Sequence, residues 1–343
     1  MVAVYIDPLL KCEGCSLTQI LSFSCDRQVD LDSRYAIWRK VGGELIELVP
    51  SRSQANIAII PHNLCEYLHN GQMMPIVREV VRKNVDAGLL TWAFLWSDLN
   101  DPIDLGGVRI FRTGGYASRS YTYEEGMPSF CEDLRGKYCA RNFVDTAPVE
   151  RLSVSFCGNA DGKKSLWQHF CYWRSSNEGE VGRKLRRKTM RILEEISFVH
   201  SYFHTFDSFF VGENMMDETE RRKRRELFVL NMLASNYALV VRGTGNYSYR
   251  HYEAMSLGRV PLFIDSDCLL PLNDLIDWDS VMCIVSENNL GDLTDQFLRF
   301  DEKCDDIVRV GEKAREIWQN YLTPEGFFRS ILIDQRRMSL GAL

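Results

Sequence analysis

The sequence predicts an α/β protein built from two parallel-sheet units. Strand-like apolar runs alternate with helical periodicities through the 343-residue chain. Runs such as Ala55–Pro61 (ANIAIIP) and Leu89–Leu95 are apolar almost throughout, which suits strands buried on both faces. The alternation breaks at Thr146-Ala147-Pro148 and resumes at Leu152. Strands separated by helices imply parallel sheets covered on both sides. Two such units on a short linker make a cleft between them, and ligands of open α/β sheets sit outside the carboxyl ends of the strands.

Taken in order, Val2–Ile6 is a short strand ending at the turn pair Asp7-Pro8. Ala55–Pro61 follows, then a helix over Gly71–Asn84 with Met74, Ile76, Val77, Val80 and Val81 at helical spacing. Leu89–Leu95 is a strand ending at Ser97-Asp98, and Val108–Phe111 is another. Gly114–Glu125, polar and aromatic, reads as a loop. The second half opens with the strand Leu152–Cys157, a basic helix over Gly182–Ile196 and a helix over Glu218–Ala234. Then come the strand Ala238–Val241, a helix ending near Gly258, and the strands Val260–Asp265 and Ser280–Val285. Two helices precede Tyr321, and Thr323–Met338 carries Pro324 at a helix start with one apolar side. Asp7, His62 and Asp98 all fall at or just after strand ends.

Bulk composition narrows the function. Apolar residues make up 45% and charged residues 26%, the balance of a globular protein with a substantial core. A net charge of −6 argues against general affinity for nucleic acid or membrane surfaces. The 11 cysteines are odd in number and scattered, which reads as reduced thiols. Cys12 and Cys15 form a CxxC with no second CxxC, and Cys25, Cys131 and Cys139 do not complete a zinc-finger spacing. The N-terminus lacks the pattern of a signal peptide, and no run reaches the ~20 apolar residues that span a bilayer. A cytoplasmic location is expected.

The most specific local pattern is VVRGTGNYSYRHYEAM, residues 240–255. An apolar strand runs into a turn with two glycines and then into a helix. Gly243 and Gly245 let the backbone turn tightly and approach a ligand. Asn246 or Ser248 can cap the helix, whose free N–H groups attract phosphate. Arg242 and Arg250 add full charges in a planar fork suited to phosphate oxygens. Glu253, one turn beyond Arg250, would repel phosphate but can accept hydrogen bonds from ribose hydroxyls. The stretch is not a Walker loop, since no G-K-[ST] ends it, and Ser248 replaces the third glycine of a dinucleotide fingerprint. The plainer alternative is a tight turn with an Arg250–Glu253 surface pair.

Residues 226–287 around this motif resemble the signature region of the exostosin-like glycosyltransferases. Ser235 ends a helix before the strand, and Ser248, Arg250, Glu253 and Ala254 supply an S-x-R-x-x-E-A run. Gly258 and Pro261 give the G-x-x-P strand, followed by Leu270-Pro271 and Ile276-Asp277-Trp278. The match covers about 60 residues, and the first half matches more loosely through YIDP, the strand at 89–95 and Met127-Pro128. The resemblance implies the glycosyltransferase-B fold: two Rossmann-like domains, parallel sheets facing a central cleft, at 1–147 (acceptor side) and 148–322 (nucleotide-sugar side). A helix at 323–343 would cross back to the first domain. It also implies an inverting, metal-independent hexosyl- or pentosyltransferase with no required cofactor. The donor would be a nucleotide-sugar, a uridine diphosphate sugar by the family's habit, and the acceptor a glycan or glycoconjugate hydroxyl. Arg250 would contact the diphosphate and Glu253 the ribose. Arg242, Gly243, Thr244, Gly245 and Asn246 would line the phosphate side. The basic helix 183–191 falls where relatives carry a phosphate-facing arginine, for which Arg183 and Arg187 are candidates; the alternative is a solvated charged face. The acceptor needs a general base, and Asp98 and Asp7 are the candidates, with His62 behind them.

Competing readings accompany each of these. Asp7 also suits a turn, Asp98 a loop cap, and His62 a satisfied core histidine. Asp265-Ser266-Asp267 is a DxD after a strand, read as a strand-end turn rather than a metal site. His200 and His204 have the spacing of ligands on a helix but lack the H-E-x-x-H glutamate, and read as part of an aromatic cluster. The alternative function is a catalytically inactive exostosin-like module that binds glycan or a partner. The absence of the membrane anchor usual in animal and plant relatives favours a cytoplasmic enzyme of surface-polysaccharide or glycoprotein glycan synthesis.

Overall fold

In the computed structural model, residues 1–12, 17–24, 33–139, 150–160, 178–206, 217–334 and 336–339 are described. They form two units. Unit 1 comprises Met1–Phe130, Leu269–Leu272 and Asn320–Leu343, and unit 2 comprises Cys131–Cys268 and Asn273–Gln319. Thr146-Ala147-Pro148, where the sequence pattern breaks, lies outside the described residues.

Unit 1 is built on strands β1 (Val2–Tyr5), β2 (Ile46–Val49), β3 (Ile57–Ile59), β4 (Thr91–Leu95), β5 (Val108–Arg112) and β6 (Glu124–Gly126). Their order is β2-β1-β3-β4-β5-β6, and every described pairing is parallel. β3, β4 and β5 are buried along their length; β3 and β4 are apolar or nearly so, while β5 buries Arg109 and Arg112 as well. The helix Met73–Asp86 lays Val77, Val80 and Val81 on the sheet with Ala93, Leu95, Val108 and Ile110.

Two parts of this unit depart from the sequence reading. The helix Ser33–Leu45 and the edge strand β2 fall in a stretch without a clear pattern. Gly42 and Gly43 look like helix breakers there. Gly42 is needed because a Cβ would run into the carbonyl of Ile20. The other departure is β6, which lies within the stretch read as a loop. It is polar because its Glu124 forms a fully buried ion pair with Arg112 of β5. Arg112 also donates to the carbonyls of Leu99 (2.7 Å) and Asp101 (3.0 Å), so one guanidinium gathers the loops beyond β4 and β5.

The last part of the chain belongs to unit 1. Thr323 Oγ1 accepts from Gly326 N (3.1 Å) and starts the helix Pro324–Ile333, with Pro324 in its first turn. Phe327 and Phe328 are buried and join Trp38, Phe94, Phe111 and Phe130 in an edge-to-face cluster. Beyond the helix, Arg337 Nε donates to Glu125 Oε2 (2.7 Å) and Trp92 Nε1 donates to the Arg337 carbonyl (3.0 Å).

Unit 2 contains β7 (Ser153–Asn159), β8 (His200–Phe206), β9 (Tyr237–Val241), β10 (Val260–Asp265) and β11 (Cys283–Ser286), in the order β11-β10-β9-β7-β8. All described pairings are again parallel. The helix Glu178–Glu194 packs Leu185, Met190 and Leu193 against Val154, Phe156 and Leu239. The helix Glu218–Leu233 covers the other side with Phe228, Val229, Met232 and Leu233. His200 and His204 lie on β8, not on a helix where that spacing would bring two ligands together. They lie on an edge strand, where residues four apart stand about 13 Å from one another. His204 packs edge-on against Phe206 at 4.8 Å.

Candidate functional site

The strand order of unit 2 reverses once. The chain passes from β7 to β8 on one side, then returns past β7 to β9, β10 and β11 on the other. The carboxyl ends of β7 and β9 therefore flank a topological switch point, where open α/β sheets leave a crevice for ligands. The Arg242–Ser248 loop leaves β9 at this point, and the helix Tyr249–Ser256 follows it.

Two arginines converge here on one aromatic ring. Arg250 donates from Nη2 to the Cys157 carbonyl of β7, and its guanidinium lies 4.2 Å from the Phe156 ring centroid. Arg186, from the helix Glu178–Glu194, donates to the carbonyls of Asn159 (2.8 Å) and Arg242 (2.9 Å) and lies 5.9 Å from the same ring. Among the described residues neither has a carboxylate in hydrogen-bond contact, and the Nε of each is buried without an acceptor. Burial pushes Arg250 down to about 10 and Arg186 down to about 9, Arg186 also because Arg250 and Arg183 repel it. Arg186 and Arg250 repel each other, with Glu253 the carboxylate acting on Arg250 among the described residues, and a multiply charged anion offsets the cost of holding them together. The arginine fork matches phosphate oxygens.

Around this pair the loop is closely tied. Arg242 is buried and donates to the Thr244 carbonyl (3.1 Å), while Gly243 N donates to Tyr247 O (3.0 Å) and Tyr247 N to Gly245 O (2.8 Å). Neither Gly243 nor Gly245 adopts a left-handed backbone, and a Cβ at Gly243 would meet nothing nearer than 3.8 Å. The glycine that sets the packing is Gly182. A Cβ there would stand 2.6 Å from Gly243 O and 2.8 Å from Arg242 O, so helix and loop meet backbone to backbone. Ser248 occupies the cap position of the helix without a side-chain capping bond. Asn246 ties the loop elsewhere. Its Nδ2 donates to Ser266 O (2.9 Å) and its Oδ1 accepts from Ser266 Oγ (2.6 Å), fastening the loop to the turn after β10.

Arg250 and Glu253 are both buried, so the surface-pair alternative does not hold. Glu253 pairs instead with Arg225 Nη1 at 2.7 Å. Arg183 pairs with Glu180 at 2.8 Å. Arg187 faces a surface groove of about 350 Å³ with Lys184, Lys188 and Arg191, 3.6 Å from Glu180. The side chain of this helix that reaches the loop is Arg186, which sequence reasoning missed. Its signal is present: it lies three and four residues before the buried Thr189 and Met190, on the inward stripe of a helix otherwise read as a charge run.

In unit 1, Asp7 and His62 follow β1 and β3, which flank that sheet's own reversal. Asp7 is engaged: Oδ1 accepts from Leu9 N (3.0 Å) and caps a short helix, and Oδ2 pairs with Arg52. His62 is buried and its Nε2 accepts from Cys12 N (3.1 Å), the bonding of a core histidine. Asp98 is exposed in the turn after β4. After β10, Asp265 Oδ1 accepts from Cys268 N (2.9 Å), closing the strand-end turn, and burial raises its carboxyl. Among the described residues no three His, Cys, Asp or Glu side chains gather as metal ligands, and no helix is long and apolar enough to cross a membrane.

Comparison with known proteins agrees with the sequence resemblance. The chain is 28% identical over 106 residues to the Exostosin-1 homolog of Caenorhabditis elegans. That match takes in 31% of this chain and 26% of the relative, so the chain spans about a quarter of the curated protein it resembles. No protein-family model matches. Among solved structures, that of TarM aligns over 70% of this chain and 53% of its own, at 11% identity and a TM-score of 0.32. The chain thus resembles an exostosin-like glycosyltransferase, and both Rossmann-like units implied by that resemblance are present.

Proposed function

We propose that the protein is a glycosyltransferase that moves a sugar from a nucleotide-sugar to a hydroxyl of a glycan acceptor. The observation that carries this reading is the pair of desolvated arginines, Arg186 and Arg250, at the switch point of the unit 2 sheet. The local likeness to the Exostosin-1 homolog supports it. In the reaction, the acceptor oxygen attacks the anomeric carbon as the nucleoside diphosphate leaves, inverting that centre. Negative charge grows on the leaving diphosphate. Arg186 and Arg250 are already held in place by backbone carbonyls, so they stabilise that charge without reorganising. Arg242 and the 243–246 loop would line the phosphates, and Glu253 would take the ribose hydroxyls. In this reading the arginines supply the charge that a metal ion supplies elsewhere, and the donor is a uridine diphosphate hexose or pentose. Asp98, exposed in the turn after β4, is the proposed acceptor base.

The test is thermal stabilisation by a panel of nucleoside diphosphates and sugar nucleotides, with and without chelator. A native-state ligand must raise Tm. One diphosphate should do so despite chelation, and Arg250→Ala and Glu253→Ala should each abolish the shift. No shift with any of them would overturn the reading. Binding without transfer to any acceptor glycan would favour an inactive glycan-binding module. Asp98→Asn should lower kcat with donor affinity unchanged.

A further inference from the structure

The carboxylate of Glu253 is held by a relay outside the motif. Arg225, on the helix Glu218–Leu233, donates from Nη1 to Glu253 Oε1 at 2.7 Å. Its Nη2 reaches Glu132 Oε1 at 3.3 Å. Glu132 lies just before the short helix Leu134–Tyr138, so three separate parts of unit 2 meet in one row of charges. The Arg225 guanidinium also lies 5.2 Å from the Phe228 ring centroid, and Arg250 lies 5.1 Å from the same ring. One aromatic side chain therefore sets Arg225 beside the phosphate-side arginine.

The division of labour within Glu253 is informative. Its side chain is only 9% exposed, and Oε1 is occupied by Arg225. Oε2 takes no hydrogen bond from any described residue, and it is not among the buried polar atoms without a partner. One oxygen is therefore fixed by Arg225, and the other is left to accept from a ligand. A carboxylate held in this way is pre-oriented to accept from a hydroxyl pair. Without Arg225, a glutamate at that position would rotate freely or swing toward Arg250, whose charge it already favours.

Resting on the proposed donor site, we propose that Arg225 is a positioning residue that holds Glu253 for the ribose, with Glu132 as its anchor, and that this relay sets the preference for a ribonucleotide over its deoxy counterparts. Arg225 acts through Glu253 and touches neither diphosphate nor sugar. Sites that hydrogen-bond a ligand hydroxyl reject the analogue lacking it far more strongly than sites that only pack against it. The selectivity therefore depends on the geometry of one oxygen, and the contribution of the phosphate contacts does not.

The test uses the full chain and calorimetry with UDP, GDP, ADP and CDP, followed by the 2′-deoxy and 3′-deoxy forms of the diphosphate that binds. Wild type should prefer the ribonucleotide to at least one deoxy form by about tenfold or more. In Arg225→Gln the preference should shrink to about twofold, with the deoxy form bound as in wild type. Arg225→Lys should restore part of it. Glu132→Gln, at a side chain one-third exposed that also pairs with Lys137, should show the same change in smaller degree. An unchanged preference in both Arg225→Gln and Glu132→Gln overturns the relay, as does an equal loss for ribo and deoxy forms. If no ribonucleoside diphosphate binds wild type, the donor-site reading itself falls and the relay falls with it. Binding of the diphosphate with no preference for ribose overturns the relay alone.

Discussion

At the scale of single residues, burial decides which charges do what. Arg186 and Arg250 are kept dry on one phenylalanine with carbonyl oxygens as their acceptors. Replacing Arg186 with Met removes one charged partner of the ligand, worth about 1.5–3 kcal/mol. Diphosphate affinity should drop tenfold or more, while affinity for the bare nucleoside stays level; titration calorimetry distinguishes the two. His251 gives a second prediction. It is buried against Tyr252, Phe263 and Trp278, and burial pushes it down to about 3 from an ordinary value near 6.5. The folded protein keeps this ring neutral while the unfolded chain protonates it. The resulting stability is complete above pH 6.5 and is lost as pH falls toward 3, at up to about 1.4 kcal/mol per unit. His251→Phe should lose less Tm than wild type between pH 7 and pH 5, a range above most carboxylate titration.

At the scale of elements, the site rests on how closely one helix approaches one loop. Gly182→Ala would place a Cβ 2.6 Å from Gly243 O. The helix must then retreat, at a cost of about 1–3 kcal/mol. Arg186 retreats with it, so both Tm and diphosphate affinity should fall, whereas Gly243→Ala, with open space around it, should leave Tm nearly level. The glycines most visible in the motif are thus not the one that sets the packing. Sequence patterns reveal what is periodic or local. The buried strands, the helix carrying Val77, Val80 and Val81, and the turn after β9 were legible for that reason. Contacts between distant segments leave no local trace. Glu253 could be identified as a candidate, but its partner Arg225, 28 positions earlier, could not. Arg186 was hidden inside a run of basic residues, and Glu124, the partner of Arg112, inside an apparent loop.

At the scale of the whole molecule, unit 1 is discontinuous in sequence. Its aromatic cluster is completed by Phe327 and Phe328, and its β5–β6 edge by Arg337 on Glu125. A fragment of residues 1–130 therefore leaves Trp38, Phe94 and Phe111 partly uncovered and should not show a cooperative melt. The same fragment joined by a flexible linker to 320–339 should regain one, as followed by circular dichroism. Synthesis runs in one direction, and this gives the arrangement a consequence in time. About 190 residues, nearly all of them unit 2, leave the ribosome between the first and last parts of unit 1. At roughly 5–20 residues per second, that is a wait of about ten to forty seconds. Throughout it, the first part to emerge holds an unfinished aromatic surface that only the last helix can cover. Until the helix Pro324–Ile333 emerges, that apolar surface is open to any chaperone that shields such surfaces.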